Sequence, residues 1–185
     1  MRINIIGTAG SGKSFFSKRV AQKLNIPCVE IEALAWKSNW TEATDEELFS
    51  KLKTHLSSDN WVLDGNYSKT RHIKWKKCQM VVYLDMPFHI ILYRLLRRTL
   101  TRIFTGEELW AGNKETFCRQ FFTRDSVIWW GLSNFFLKRR YYLIDSKNPE
   151  FTHIEFVRLR TDKEVEDFVT HKLHTFFNAS ETLAL

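Results

Sequence analysis

Ile3-Asn4-Ile5-Ile6-Gly7-Thr8-Ala9-Gly10-Ser11-Gly12-Lys13-Ser14 is the stretch on which the fold turns. Four strand-forming residues run into a loop that fits G-x-x-x-x-G-K-S/T in full, and Phe16, Val20 and Leu24 follow at helical spacing. Glycines at 7, 10 and 12 let backbone N–H groups turn inward around phosphate oxygens, and the helix start adds partial positive charge. The spacing is not the G-x-G-x-x-G of a dinucleotide site. By chance the pattern would arise in roughly one chain in a hundred of this length. The strand before it and the helix after it make a phosphate-binding loop the better reading. Gly7 through Phe15 are expected to hold ATP, with Lys13 reaching the β- and γ-phosphates and Ser14 on Mg²⁺.

Outward from the loop, short apolar runs alternate with helix-periodic segments, which predicts parallel α/β architecture. Cys28–Ile31, Trp61–Asp64, Met80–Asp85 and His153–Val157 read as the remaining strands. Thr44 with Glu47 and Thr161 with Glu164 are capping-box signatures opening two helices. A helix over about 88–102 is expected to bury Phe88, Ile91, Leu92, Leu95 and Thr99. An irregular stretch from Thr105 to Asn113 follows it, then a long aromatic helical region to about Tyr142. Within that region Val127–Leu137 is apolar nearly all round and reads first as core, second as an interface. No repeat or linker interrupts the 185 residues, so one domain over 1–185 is expected.

The net charge of +7 favours anionic partners. Cys28, Cys78 and Cys118 form neither a zinc pattern nor a disulfide framework. The longest apolar stretch, Met80–Leu96, is broken by Asp85, Pro87 and Arg94, which argues against a membrane span. Met1-Arg2 leads straight into a strand, so no secretory leader is expected and a cytoplasmic location fits.

Asp64 and Asp85 end two strands, where ligands of open α/β sheets bind. Asp64 is the preferred Mg²⁺ partner; Asp85 is as readily a turn residue. Neither is followed by Glu, and Asn113-Lys114-Glu115-Thr116 lacks the Asp of a guanine signature. Transfer to a bound acceptor is therefore favoured over hydrolysis. Arg94, Arg98 and Arg102 share one helix face leading into the irregular stretch and could neutralise phosphate charge.

Together these residues resemble the adenylate-kinase-like branch of P-loop kinases. Asp64-Gly65 looks like that branch's motif after strand three, and Leu84–Pro87 with Arg94 and Arg98 looks like its strand four and lid-entry arginines. The resemblance implies Arg94 against adenine and Arg98 on phosphates. A closer likeness, from the first strand to about Val169, is to the DNA topology modulation or adenylate-kinase-related family. It is carried by Ile31–Trp36 with Trp40, by Trp61–Thr70, and by Leu109–Glu115. That likeness implies a P-loop NTPase three-layer α/β/α fold, a five-stranded parallel sheet in the order 2-3-1-4-5, and a short helical lid. In this chain Asp64-Gly65 is followed by Asn-Tyr, not the Phe-Pro-Arg of true adenylate kinases.

The acceptor-binding insert is expected at about 32–60 and the lid at about 103–124. Glu32 is the candidate base, Trp36 or Trp40 the stacking platform, and Asn66, Tyr67 and Arg71 further acceptor contacts. Trp110 and Asn113 are expected at the lid tip, with Arg119 or Arg124 adding a phosphate contact. Lys69, Arg71, Lys74, Lys76 and Lys77 make a basic run with Trp75 interleaved, read as a solvated helix face before a nucleic-acid contact. The expected catalytic set is Lys13, Asp64, Arg94 and Arg98. The expected function is an ATP- and Mg²⁺-dependent kinase acting on a small acceptor, as a monomer or homodimer. The alternative is a nucleic-acid-binding regulator that uses ATP as a switch.

Overall fold

The computed structural model describes residues 1–116 and 133–173. Strand β1 (Arg2–Gly7) enters the phosphate loop and helix α1 (Lys13–Leu24) leaves it. Strand β2 (Cys28–Glu30) passes directly into α2 (Ile31–Ala35), a small hairpin β3 (Trp36–Lys37) and β4 (Thr41–Glu42), and α3 (Asp45–His55). Strand β5 (Trp61–Asp64), the one-turn helix α4 (Arg71–Lys74), β6 (Met80–Leu84) and α5 (Phe88–Thr105) follow. The chain then runs through α6 (Phe135–Asp145), β7 (Glu155–Leu159) and α7 (Asp162–Asp167).

The main sheet is parallel throughout, in the order β2-β5-β1-β6-β7. With the two hairpin strands left out of the count, that is the expected 2-3-1-4-5. Every residue of β5 and β6 is buried, which is why these strands read as unbroken apolar runs. Side chains of β1 alternate between two cores, as the strand period of two requires. Ile3 and Ile5 pack with Phe16, Val20 and Leu24 of α1 and with Phe168 and Leu173 beyond α7. Ile6 faces the other core, built on Leu48 and Leu52 of α3, Trp75, and Tyr142 of α6. The three-layer α/β/α architecture is therefore observed.

Thr44 and Glu47 exchange both capping-box bonds at the start of α3. At α7, Thr161 accepts from the Glu164 amide, while the Glu164 carboxylate accepts from the Arg160 amide. Gly106, at φ 64°, ends α5 in the left-handed conformation, three residues later than expected.

Several expectations are corrected. Phe88 is 40 % exposed: it opens the first turn of α5 and packs with Phe135 in a T-shaped pair at 5.3 Å between ring centroids. The last strand begins at Glu155, two residues late. A 3₁₀ turn at Pro149–Phe151 carries the chain until the Glu155 amide reaches the Gln79 carbonyl. The basic run is not one solvated face: Lys74 and Trp75 are buried, while Lys76 and Lys77 are exposed. Phe135 is core, yet Phe136 is 72 % exposed. Residues 117–132, with Cys118, Arg119, Arg124 and most of the apolar stretch, lie outside the described residues.

Candidate active site

The phosphate loop is shaped by sterics at two glycines. A Cβ on Gly7 would meet the Ser11 hydroxyl oxygen at 2.5 Å, so the loop can fold back on itself only there. Gly10 has φ +83°, and a Cβ on it would lie 2.7 Å from the Ile91 carbonyl of α5. Gly12 caps α1 in the left-handed region with no side-chain cap bond and no acidic residue in the first turn. The leading N–H groups of α1 and its positive dipole end thus face the loop interior. Thr8 and Ser11 are buried, and their hydroxyl oxygens have no hydrogen-bond partner. A polyphosphate chain would supply acceptors to these groups, so the loop fits ATP.

Beside the loop, β5 delivers Asp64, which is 1 % exposed. The Lys13 ammonium and the Ser14 hydroxyl both lie near enough to its carboxylate to pull its pKa down. Burial raises the Asp64 pKa, against the opposing pull of Lys13. Its Oδ1 has no partner. A Ser hydroxyl against a carboxylate with a spare buried oxygen is a donor set that fits Mg²⁺. Glu32, from α2, sits 3.9 Å from Lys13 Nζ, and its own Oε2 is buried without a partner. Burial raises the Glu32 pKa too, again opposed by Lys13. α2 approaches this closely because residue 65 is glycine. Gly65 has φ +132°, and a Cβ there would overlap Ile31 Cγ2 and stand 3.1 Å from Glu32 Oε2.

Arg94 reaches the loop from α5. Its Nη1 is 3.5 Å from the Ser11 carbonyl, while Nη2 donates to both carboxylate oxygens of Asp162, at 2.8 and 2.7 Å. One turn on, Arg98 has a partnerless Nε, and burial lowers its pKa, reinforced by Arg102. Arg102 is satisfied by Glu107 and Glu115. Phe15 is exposed at the mouth of the loop, with the Arg19 guanidinium 5.6 Å from its ring centroid.

The remaining expected site residues separate. Asn66 spends both polar ends on Gly7: Oδ1 accepts from the Gly7 amide at 3.0 Å and Nδ2 donates to its carbonyl at 2.7 Å. It staples β5 to the first glycine of the loop. Tyr67 is part-buried, and burial with the charges of Glu32 and Glu42 raises its hydroxyl pKa. Trp36 and Trp40 pack edge to face at 5.5 Å across the hairpin. Arg71 pairs with Asp145 at 2.8 Å and stacks over Trp75. Asp85 lies apart, bound by Arg158 of β7 and Arg139 of α6.

The described part of the segment expected to form a lid is docked against the hairpin. Asn113 accepts from the Trp40 amide at 2.7 Å and donates to the Lys37 carbonyl at 2.8 Å. Trp110 Nε1 donates to Glu30, which also pairs with Lys18 at 2.7 Å. Burial alone would raise Glu30; these two bonds outweigh it and hold the carboxyl below its ordinary range.

Sequence reasoning missed Glu30, Lys18 and Asn4, and read the buried Lys74 as part of a solvated face. Asn4 donates to the carbonyls of Leu63 and Gly65 and accepts from Trp75 Nε1, so it fixes the turn after Asp64 from beneath. A polar residue inside an otherwise apolar strand was the available signal. Lys74 carries none: its ammonium turns back to the carbonyls of Gly65 and Asn66, acceptors that leave no mark in the sequence.

A parallel 2-3-1-4-5 sheet with a glycine loop between β1 and α1 defines a P-loop nucleotide-binding protein. Residues 3–109 match the AAA domain family, to which the chain belongs. No curated protein matches the chain. Among solved structures it is similar to a gluconokinase from Sinorhizobium meliloti 1021, at TM-score 0.55 and 16% identity over 99% of this chain and 95% of that one. It is also similar to a shikimate kinase from Aquifex aeolicus vf5, at TM-score 0.53 and 20% identity over 97% of this chain and 98% of that one. Among the described residues no helix is long and apolar enough to cross a membrane.

Proposed function

We propose that the chain is an ATP- and Mg²⁺-dependent kinase, of the adenylate-kinase-like and topology-modulation type, that phosphorylates a small acceptor. The carrying observation is the convergence of Lys13, Ser14, Asp64 and Glu32, with one buried, unpartnered carboxylate oxygen on each of Asp64 and Glu32. Asp85 and Glu115 also keep one buried oxygen unpartnered, but each is paired with arginine away from Lys13, so it is the placement beside Lys13 that sets Asp64 and Glu32 apart. The two similar solved structures are both kinases, which agrees with this reading.

In the proposed reaction Lys13 and the loop amides bind the phosphates, and Ser14 with Asp64 would hold Mg²⁺, which would supply neutralisation of phosphate charge. Arg98 faces the transferring group with its free Nε, and Arg94 borders the nucleotide. Glu32 accepts the proton of the acceptor hydroxyl as that oxygen bonds to the γ-phosphorus and ADP departs. Trp36, Tyr67 and Arg71 border the acceptor, while Asn66 positions Gly7. The raised pKa of Glu32 suits a group that must take up a proton. A nucleic-acid regulator is supported less well, because Lys74 is buried and Arg71 is paired, which breaks up the basic run it would need.

The test is ADP release measured over nucleosides, nucleotides, sugars and short oligonucleotides. One class of acceptor should stimulate release in the parent chain and in no case in Lys13→Ala. Turnover that no acceptor changes, with salt-dependent nucleic-acid binding instead, would overturn the assignment.

A further inference from the structure

Helix α7 begins where the chain leaves the carboxyl end of β7, and that junction is fixed. The Asp85 amide donates to the Leu159 carbonyl at 2.8 Å, which ties the end of β7 to the end of β6. The Arg160 amide donates to the Glu164 carboxylate at 2.6 Å, and the Glu164 amide donates to the Thr161 hydroxyl at 3.1 Å. Further on, Glu166 accepts from both Nη1 and Nη2 of Arg19, the second at 2.9 Å. This pair moors α7 on α1, the helix that leaves the phosphate loop. Asp162 and Glu166 stand four residues apart, on one helix face. We infer that Asp162 is a positioning residue for nucleotide binding, holding Arg94 at the nucleoside end of the phosphate loop. The proposal rests on the kinase reading for the direction in which ATP lies.

Arg94 overlies the loop without being fixed by it. Its Nη1 would stand 3.7 Å from a Cβ on Gly12, and it is 3.5 Å from the Ser11 carbonyl, the long limit of a hydrogen bond. The strong contact is to Asp162, whose two oxygens accept from Nη2 at 2.8 and 2.7 Å. One nitrogen carries the whole pair, so among the described residues Nε makes no bond and stays open to a ligand. An exposed ion pair adds little to folding, and the Asp162 side chain is 70 % exposed. Its effect falls on where the guanidinium waits. A long side chain ordered before the ligand arrives spares binding the entropy of ordering it.

Topology places this pair at the nucleoside end. In the sheet, β5 with Asp64 lies on one side of β1, and β6 and β7 lie on the other. A triphosphate whose γ end meets Asp64 and Glu32 crosses the loop away from β5. Its nucleoside then emerges on the side of Ser11 and Gly12, toward β6 and β7. Arg94 of α5 and Asp162 of α7 meet there, with a planar cation to offer base or ribose.

Calorimetric titration of the full chain compares ATP with inorganic tripolyphosphate, both with Mg²⁺; the second has three phosphates and no nucleoside. The parent should bind ATP more tightly. Asp162→Ala should weaken ATP about fivefold or more and leave tripolyphosphate unchanged. An aspartate at a helix start also favours the helix dipole, an effect that does not involve Arg94. In an Arg94→Met chain, Asp162→Ala should therefore weaken ATP no further. Equal losses for both ligands, the same loss with and without Arg94, or an unchanged ATP affinity overturns the positioning role. A parent that binds tripolyphosphate as tightly as ATP overturns it too. None of these measurements needs turnover, so an acceptor screen that fails removes the kinase reading while the titrations still decide the part played by Asp162.

Discussion

Asp64 and Lys74 show how single residues report a purpose through the stability they forgo. A buried carboxylate with an empty oxygen and a pKa raised by burial is a cost to folding that a neutral amide would not carry. Asp64→Asn should therefore leave the midpoint of thermal unfolding level or raised, while the turnover number falls about 10²-fold or more. A variant that unfolds readily would mark Asp64 as structural. Lys74 offers a pH test. Its folded pKa is lowered to about 7, mainly by burial. Cys78, Arg71, Glu32 and Lys138 are the charged and titratable groups around it. Above pH 7 and up to about 10 the unfolded chain holds a proton that the folded chain has released. Stability attributable to Lys74 therefore rises with pH across that window, by up to about 1.4 kcal/mol per unit. Denaturant titrations at pH 7 and pH 9 should show parent minus Lys74→Met growing in the parent's favour. A difference independent of pH would contradict the burial of a titrating ammonium.

At the scale of elements, the hairpin β3–β4 and the turn at Trp110–Gly112 hold each other in place. Strands of two residues have no stability alone. Asn113, 4 % exposed, supplies the missing bonds by taking the Trp40 amide and giving to the Lys37 and Trp110 carbonyls. Asn113→Ala should cost about 1–3 kcal/mol locally, because it orphans buried backbone groups. Hydrogen exchange should then quicken at Trp40 and across 109–114, with the amides of β1, β5 and β6 unchanged. Uniform loss of protection would mean that the turn is part of the global core instead. This pairing was not legible in the sequence. Ile31–Trp40 showed neither the alternation nor the turn chemistry of a hairpin, since its pairing is imposed by a side chain 73 residues away. Helix starts, by contrast, announced themselves through Thr44 with Glu47 and through Thr161 with Glu164, whose signals lie within one turn.

For the whole molecule, what was readable follows the range of the interactions involved. The sheet could be inferred because β5 and β6, buried on both faces, leave continuous apolar runs, and because the loop after β1 fixes where the sheet begins. The donor half of the site was readable for the same reason, since eight consecutive residues carry it. The acceptor half was not. Glu32 and Arg71 could be nominated from their places after strands. Asn4 supports the turn after Asp64 only through contacts across the fold, such as the bond from Trp75 to Asn4 over 71 residues. The account as a whole stands on transfer of a phosphoryl group, rather than its loss to water, at the loop with which the chain begins. Phosphorus NMR of ATP, Mg²⁺, the full chain and the stimulating acceptor follows the fate of the γ-phosphorus directly. The account predicts ADP and a phosphate ester of the acceptor appearing in equal amounts, and neither with Lys13→Ala. Inorganic phosphate in place of the ester, or an unchanged ATP spectrum with every acceptor, would contradict it.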